Sequence, residues 1–412
     1  MLRAFLIIAI STVSAFGFAD RPALAYTPVS IAKLEQAAKG RVGVSARTEL
    51  SAAPDSPNYV RALALTPHAA EPMAQLFNAA LFTGSLEAEQ KMAMALRIAQ
   101  LLESPYVAIH AKRLLETTDH GRQLLKALSS EQFDSLQPAD QLAIQYAEWL
   151  TQDVHGVSDS DFRRVRAYFN DGQVVELTTT VCYFNYLTRY AEALRLPVED
   201  WAFNAPSEPH PANAAPIARV NLISDDELAA IHKREANTAA QAQTKSWGIG
   251  FANSMRAMYL APQMAQAWFD FGTASREYES VNREMKLQIS FAVSMANGCR
   301  YCTLHQVLGL KRLGVSTEKL VAMRKDDSAL TPAELTAVTF ARKLTREPWA
   351  INDADYQGLE KQFGKQGALE VVMQTCNFAY MNHFTDGLRL PSEDEAVKTY
   401  REVYGSNFSA RR

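Results

Sequence analysis

Cysteine is scarce in this chain, with four residues in 412. A disulfide scaffold is thereby excluded, and stability has to come from ordinary apolar cores. An excess of charge of one sign is also missing. The formal net charge is −3 and no Lys/Arg run stands out, so there is no electrostatic footprint for nucleic acid. A single C-x-x-C occurs, with no second one and no H-x-x-x-H elsewhere. Zinc needs four ligands, so no metal is expected, and no cofactor motif is present. What the chain does have is Ala, Leu, Glu, Gln, Lys and Met in quantity, with apolar residues recurring at helical spacing. That pattern predicts an all-α protein, and the length implies about two domains.

The first residues read as an export signal. Met1-Leu2-Arg3 is a short basic start, Ala4 to Ala19 is apolar, and Ala23-Leu24-Ala25 is a small-residue cleavage site. The apolar run is short for a transmembrane helix. Cleavage is expected after Ala25, with Gly17-Phe18-Ala19 as the alternative site and an uncleaved anchor as the competing reading. The expected destination is secreted or periplasmic, in a compartment that tolerates disulfides.

The chemistry concentrates in Asn297-Gly298-Cys299-Arg300-Tyr301-Cys302-Thr303-Leu304-His305-Gln306. An apolar helical run, Leu287 to Ala296, leads up to it, and Gly298 marks a break. Cys299 then opens a new helix toward Gly314, on which Cys299, Cys302 and His305 follow one another at i,i+3 spacing. The unpaired N–H groups and dipole of a first helical turn stabilise a thiolate, as does a neighbouring imidazole. A reactive thiol, a resolving partner and a base are the parts of a dithiol redox site. Half a zinc site, with His305 as a third ligand, and an inert structural disulfide are the competing readings.

The chain repeats itself. A shift of 194 residues carries Cys182 to Cys376, Leu194-Arg195-Leu196-Pro197 to Leu388-Arg389-Leu390-Pro391, and Glu176 to Glu370. Upstream the shift becomes 195, pairing Pro67 with Pro262, Lys91 with Lys286 and His110 with His305. This reads as a tandem duplication. The expected layout is a signal peptide at 1–25, a degenerate first repeat at 26–203, a Pro/Ala-rich linker at 204–216, and a second repeat at 217–412. Ser224-Asp225-Asp226-Glu227 is expected to cap a helix of the second repeat, and Val29 to Ala38 to form its counterpart in the first. The segment Gly40 to Asn58 is expected to be irregular.

Only the second copy is armed. In the first, Ser104 stands for Cys299 and Val107 for Cys302, while Tyr106 and His110 match Tyr301 and His305. Glu103 replaces Gly298 there, which predicts loss of the glycine break. Met92, Leu96 and Ile98 are expected to stay buried, with the first copy as a packing partner. Cys182 and Cys376 read as buried small hydrophobes. Asn382 and His383 are expected on an exposed helical face, with a pocket shared by the copies as the alternative.

Arg283-Glu284-Met285, the apolar helix, and Asn297-Gly298-Cys299-Arg300-Tyr301-Cys302 with its following histidine resemble the alkylhydroperoxidase-D-type, or carboxymuconolactone decarboxylase-like, family. The resemblance implies two tandem all-α domains of that type, which oligomerise commonly as trimers or hexamers. It also implies a thiol peroxidase that reduces small hydroperoxides and is restored by an external thiol reductant. Cys302 would be peroxidatic, Cys299 resolving, His305 the base and Glu284 the relay. Gln306 and Leu287 stand where the family's histidine and glutamate usually fall, so His305 and Glu284 are displaced substitutes. A homo-oligomer with the two repeats paired in cis is expected. A lactone decarboxylase or isomerase-like activity and a non-catalytic binding role are the alternatives.

Overall fold

The structure, a computed structural model, describes residues 26–51, 56–203, 252–405 and 408. The signal segment 1–25, the linker 204–216 and the Ser224 to Glu227 cap lie outside the described residues. Among the described residues the regular elements are helices alone, with no strand.

The first half runs α1 (Ile31–Lys39), α2 (Asn58–Arg61), α3 (Ala70–Phe82), α4 (Ala88–Leu101), α5 (Pro105–Leu115), α6 (Asp119–Ser130), α7 (Pro138–Asp153), α8 (Asp159–Tyr168) and α9 (Asp171–Ala193). The second runs α10 (Asn253–Met258), α11 (Pro262–Ala274), α12 (Arg283–Asn297), α13 (Arg300–Arg312), α14 (Thr317–Lys325), α15 (Pro332–Arg346), α16 (Asp353–Gly387) and α17 (Asp394–Tyr404). Local chemistry sets most starts. Ser158, Asn170, Thr331 and Asn352 each close a capping box with the residue three positions on, satisfying first-turn N–H groups that have no helical partner. The helix expected over Val29 to Ala38 is α1, and no helix lies in the described part of Gly40 to Pro57.

The element order of α2 to α9 recurs in α10 to α16. The long α16 is broken at Gly364, whose φ of 68° is left-handed, so its two arms stand in the order of α8 and α9. Ion pairs recur with the elements. Lys91 reaches Glu176 at 2.6 Å and Lys286 reaches Glu370 at 3.2 Å. Each glutamate also accepts from two backbone N–H groups before the lysine's helix, Ser85 and Leu86 in one case, Ser280 and Val281 in the other. A buried cation is tolerated only when it is paired in this way.

The core is continuous across the halves. α4 is buried on every face from Gln90 to Leu101, Met92, Leu96 and Ile98 included. α9 lies along α16, and α3 lies along α11. Matching helices thus pack against each other, as in an isologous interface. Arg189 crosses this seam fully buried and donates to the Thr345 carbonyl at 3.0 Å and to Asn185 Oδ1 at 2.8 Å. Cys182 and Cys376 are free and fully buried, and burial pushes both thiols up.

The seam corrects one expectation. Asn382 and His383 are buried, not on an exposed face. Asn382 bonds Ser294 and Asn297. His383 sets Nδ1 against the Ala379 carbonyl at 2.6 Å, and burial together with the Arg189 charge lowers it to about 3. That part of α16 is covered because both α9 and α12 pack along the same helix.

Candidate active site

Gly298 ends α12 in the left-handed region, with φ 73°, and the turn it makes delivers Cys299 as the N-cap of α13. A glycine suits this position because the conformation is unfavourable for residues with a Cβ. The first half makes the same turn with Glu103 at φ 52°. The expectation that glutamate removes the break is therefore corrected. The surrounding helix ends impose the turn, and Glu103 adopts it at some conformational cost.

The two sulfurs sit together as free thiols. The Cys302 backbone N–H donates to Cys299 Sγ at 3.3 Å, the bond a serine or threonine cap would accept. The Thr385 hydroxyl, near the end of α16, lies 3.3 Å from Cys299 Sγ and 3.4 Å from Cys302 Sγ. Met381 and Leu390 pack against the pair. Burial pushes the Cys299 thiol well above its ordinary value, and Cys302 and Asp386 push the same way. The desolvation of a fully buried thiol outweighs what the cap N–H offers a thiolate.

His305 and Glu284 have hydrogen-bond partners other than the sulfurs. His305 Nδ1 lies 2.7 Å from the Tyr301 carbonyl, which only accepts, so Nδ1 carries a hydrogen. Its Nε2 lies 2.6 Å from Glu393 Oε2. Burial raises Glu393, yet the His305 contact and the Asn253 N–H prevail and hold it at about 2. Tyr301 stacks on His305 at 4.3 Å and donates to Glu393 at 3.0 Å. The first half repeats the cluster: His110 Nδ1 on the Tyr106 carbonyl at 2.7 Å, His110 Nε2 3.0 Å from Glu199, and Tyr106 donating to Glu199 at 3.0 Å. The same unit thus stands beside Ser104 and Val107 in one half and beside the cysteine pair in the other, joining the helix that carries them to the segment after the long helix. Glu284 accepts from Gln288 at 2.9 Å and Lys319 at 3.0 Å. Neither donor hydrogen-bonds a cysteine, so the structure gives no link from Glu284 to the pair.

Three residues near the sulfurs were not anticipated. Thr385 bridges them. Asp386, its neighbour in sequence, is buried close enough to Cys299 for the two to affect each other's proton affinity, and burial pushes it up to about 6 against the pull of His155 and Cys299. His155, from the turn between α7 and α8, sets Nε2 3.0 Å from the Asn297 carbonyl and 3.6 Å from Asp386 Oδ2. The repeat register held a signal for Asp386. The same shift of 194 leads back to Glu192, which accepts from Ser104 Oγ at 2.7 Å, so both halves put a carboxylate on the residue in the N-cap position.

No curated protein sequence matches the chain. Two solved structures of the debrominase Bmp8 resemble it, one apo and one a cysteine-to-alanine variant in complex with 2,3,4-tribromopyrrole. Each has 18% identity and covers 45% of this chain; the apo structure is covered over 98% of its length with a TM-score of 0.39, the variant over 97% with 0.38. The carboxymuconolactone decarboxylase family model matches residues 262–343, from the start of α11 into α15. The matched segment contains the cysteine pair, and among the described residues it is built of helices alone.

Proposed function

We propose that the chain reduces small hydroperoxides through the Cys299/Cys302 pair. The observation that carries this reading is the pair itself: two free thiols one helical turn apart, sharing the Thr385 hydroxyl, in the only half that has them. The asymmetry of their surroundings supports the order of events. Burial holds Cys299 as a thiol, which suits the resolving role, and Cys302, one turn inside the helix, is the attacking sulfur of this proposal. Its thiolate takes the distal peroxide oxygen, the O–O bond breaks, an alcohol leaves, and a sulfenic acid forms. Cys299 condenses with that sulfenic acid to a disulfide and water. A dithiol donor outside the protein restores the pair by exchange, in an exported compartment if residues 1–25 are the signal they resemble. We include in the proposal that the two halves are copies paired in cis and that the chain forms a homo-oligomer.

The test is hydroperoxide consumption by the reduced full chain with a dithiol such as dihydrolipoamide as donor. Turnover is expected in the wild type and none in Cys302→Ser. Cys299→Ser should consume about one equivalent and hold a trappable sulfenic acid on Cys302. The matched family's name supports a second reading, decarboxylation of a lactone. Lactone turnover that survives Cys302→Ser, with no peroxide consumed by the wild type, would replace the first reading with the second.

A further inference from the structure

The first half carries no cysteine pair, yet it reaches into the pair's surroundings. The turn after α7 places His155 against the end of α12 and the end of α16, where its Nε2 meets the Asn297 carbonyl and faces Asp386. The contact is built in. Arg389, just beyond α16, donates to the Val157 carbonyl and pairs with Asp159, and the His155 backbone N–H donates to Asp153 at 3.1 Å. A Cβ on Gly298 would stand 3.4 Å from His155 Nε2. Asp386 Oδ2 is buried with no hydrogen-bond partner, and a buried carboxylate oxygen left in that state needs a reason.

Resting on the dithiol reading above, we propose that Asp386 is the general base for the resolving cysteine and that His155, supplied by the other half, sets the basicity of Asp386. In the resolving step Asp386 takes the Cys299 thiol proton. The Cys299 sulfur attacks the sulfur of the Cys302 sulfenic acid, the S–O bond breaks, and the leaving hydroxide takes a proton and departs as water. The two sulfurs end oxidised as a disulfide, and the peroxide of the first step is the oxidant. A base with an affinity near neutrality is suited to this transfer, and burial gives Asp386 one. The groups facing Asp386 are few. His155 and Cys299 are the titratable ones. Arg389 is engaged with Val157 and Asp159, and His383, one turn back, is kept neutral by burial. His155 is 26% exposed at its side chain.

The test reads Cys299 directly and uses no peroxide. In the full chain carrying Cys302→Ser, alkylation of Cys299 by iodoacetamide is followed by mass spectrometry from pH 4.5 to 8.5. The rate is expected to rise through a step near pH 6 as Asp386 ionises, then level off. Asp386→Asn should remove the step, Asp386→Glu should keep one, and His155→Gln should move it to higher pH. With both cysteines present, Asp386→Asn should slow disulfide formation roughly 10²-fold and accumulate Cys302 sulfenic acid. Identical alkylation profiles for the parent and Asp386→Asn would overturn the assignment of the base. An unmoved step in His155→Gln would overturn the role of the first half. Failure of peroxide turnover with the alkylation step intact would overturn only the peroxidase reading.

Discussion

Replacing Asp386 with asparagine should make the protein more stable at neutral pH than at acid pH, relative to the wild type. The carboxyl is raised from its ordinary 3.8 to about 6, mainly by burial. A group whose folded affinity for protons exceeds its unfolded one gives stability that is full below pH 3.8 and is lost as pH climbs through 6. A rise of about two units corresponds to about 3 kcal/mol between those limits. Asparagine keeps the shape and does not ionise, so the variant lacks this loss. Urea unfolding of both proteins at pH 4 and pH 7.5 gives four free energies. The variant-minus-wild-type difference should be more favourable at pH 7.5 than at pH 4 by about 2.5 kcal/mol, since pH 4 already lies just above the unfolded value. Taking the difference between pH values cancels any fixed packing cost of the amide. Equal differences at the two pH values would refute the argument, because Asp386 would then ionise as freely in the folded protein as in the unfolded chain.

Three further outcomes follow from the packing. His305→Ala and His110→Ala should each cost about 1–3 kcal/mol in urea unfolding, and His305→Ala should lower peroxide consumption by less than about tenfold; a hundredfold loss in a folded protein would restore His305 as a base. Gly298→Ala should cost about 1–2 kcal/mol from its left-handed φ alone, with a shifted His155 imidazole resonance in NMR spectra because the new methyl meets that ring. Arg189→Met should cost about 3 kcal/mol by leaving the Thr345 carbonyl and Asn185 without their donor, seen as a lower thermal midpoint.

The elements legible in the sequence were those specified locally. Helical spacing made the chain all-α, and the glycine at position 298 with the cysteine after it marked a helix end and the next N-cap, which is where the structure puts them. His305 was legible as a neighbour of the cysteines, but its hydrogen-bond partners were not. Its i,i+3 spacing from Cys302 sets a helix face only roughly, and the direction of the ring is decided by Glu393, far along the chain. Thr385 meets Cys299 across 86 residues and His155 meets Asn297 across 142. Contacts of that kind depend on how helices cross, which periodicity within one helix does not encode. Asn382 and His383 were misplaced for the same reason, since α9 and α12 both pack along α16 there.

The two halves hold the same arrangement in different electrical states. Ser104 donates to Glu192, and Arg41 closes on that carboxylate with an Nη1 contact of 3.1 Å. Cys299 lies against Asp386, and the facing group there is His155. An arginine stays charged at any pH the protein meets, so the first arrangement has a fixed countercharge and a hydroxyl of negligible acidity, and it has no proton to move. A histidine is the side-chain type whose charge changes nearest neutrality, and a thiol is far more acidic than a serine hydroxyl. The serine of one half and the cysteine of the other thus come with different countercharges, an arginine and a histidine. The cysteine makes a proton available, and the histidine leaves the neighbouring carboxylate free to accept it. Because the histidine comes from the half without the cysteine pair, the proposed chemistry would tie that half to the other beyond their shared core.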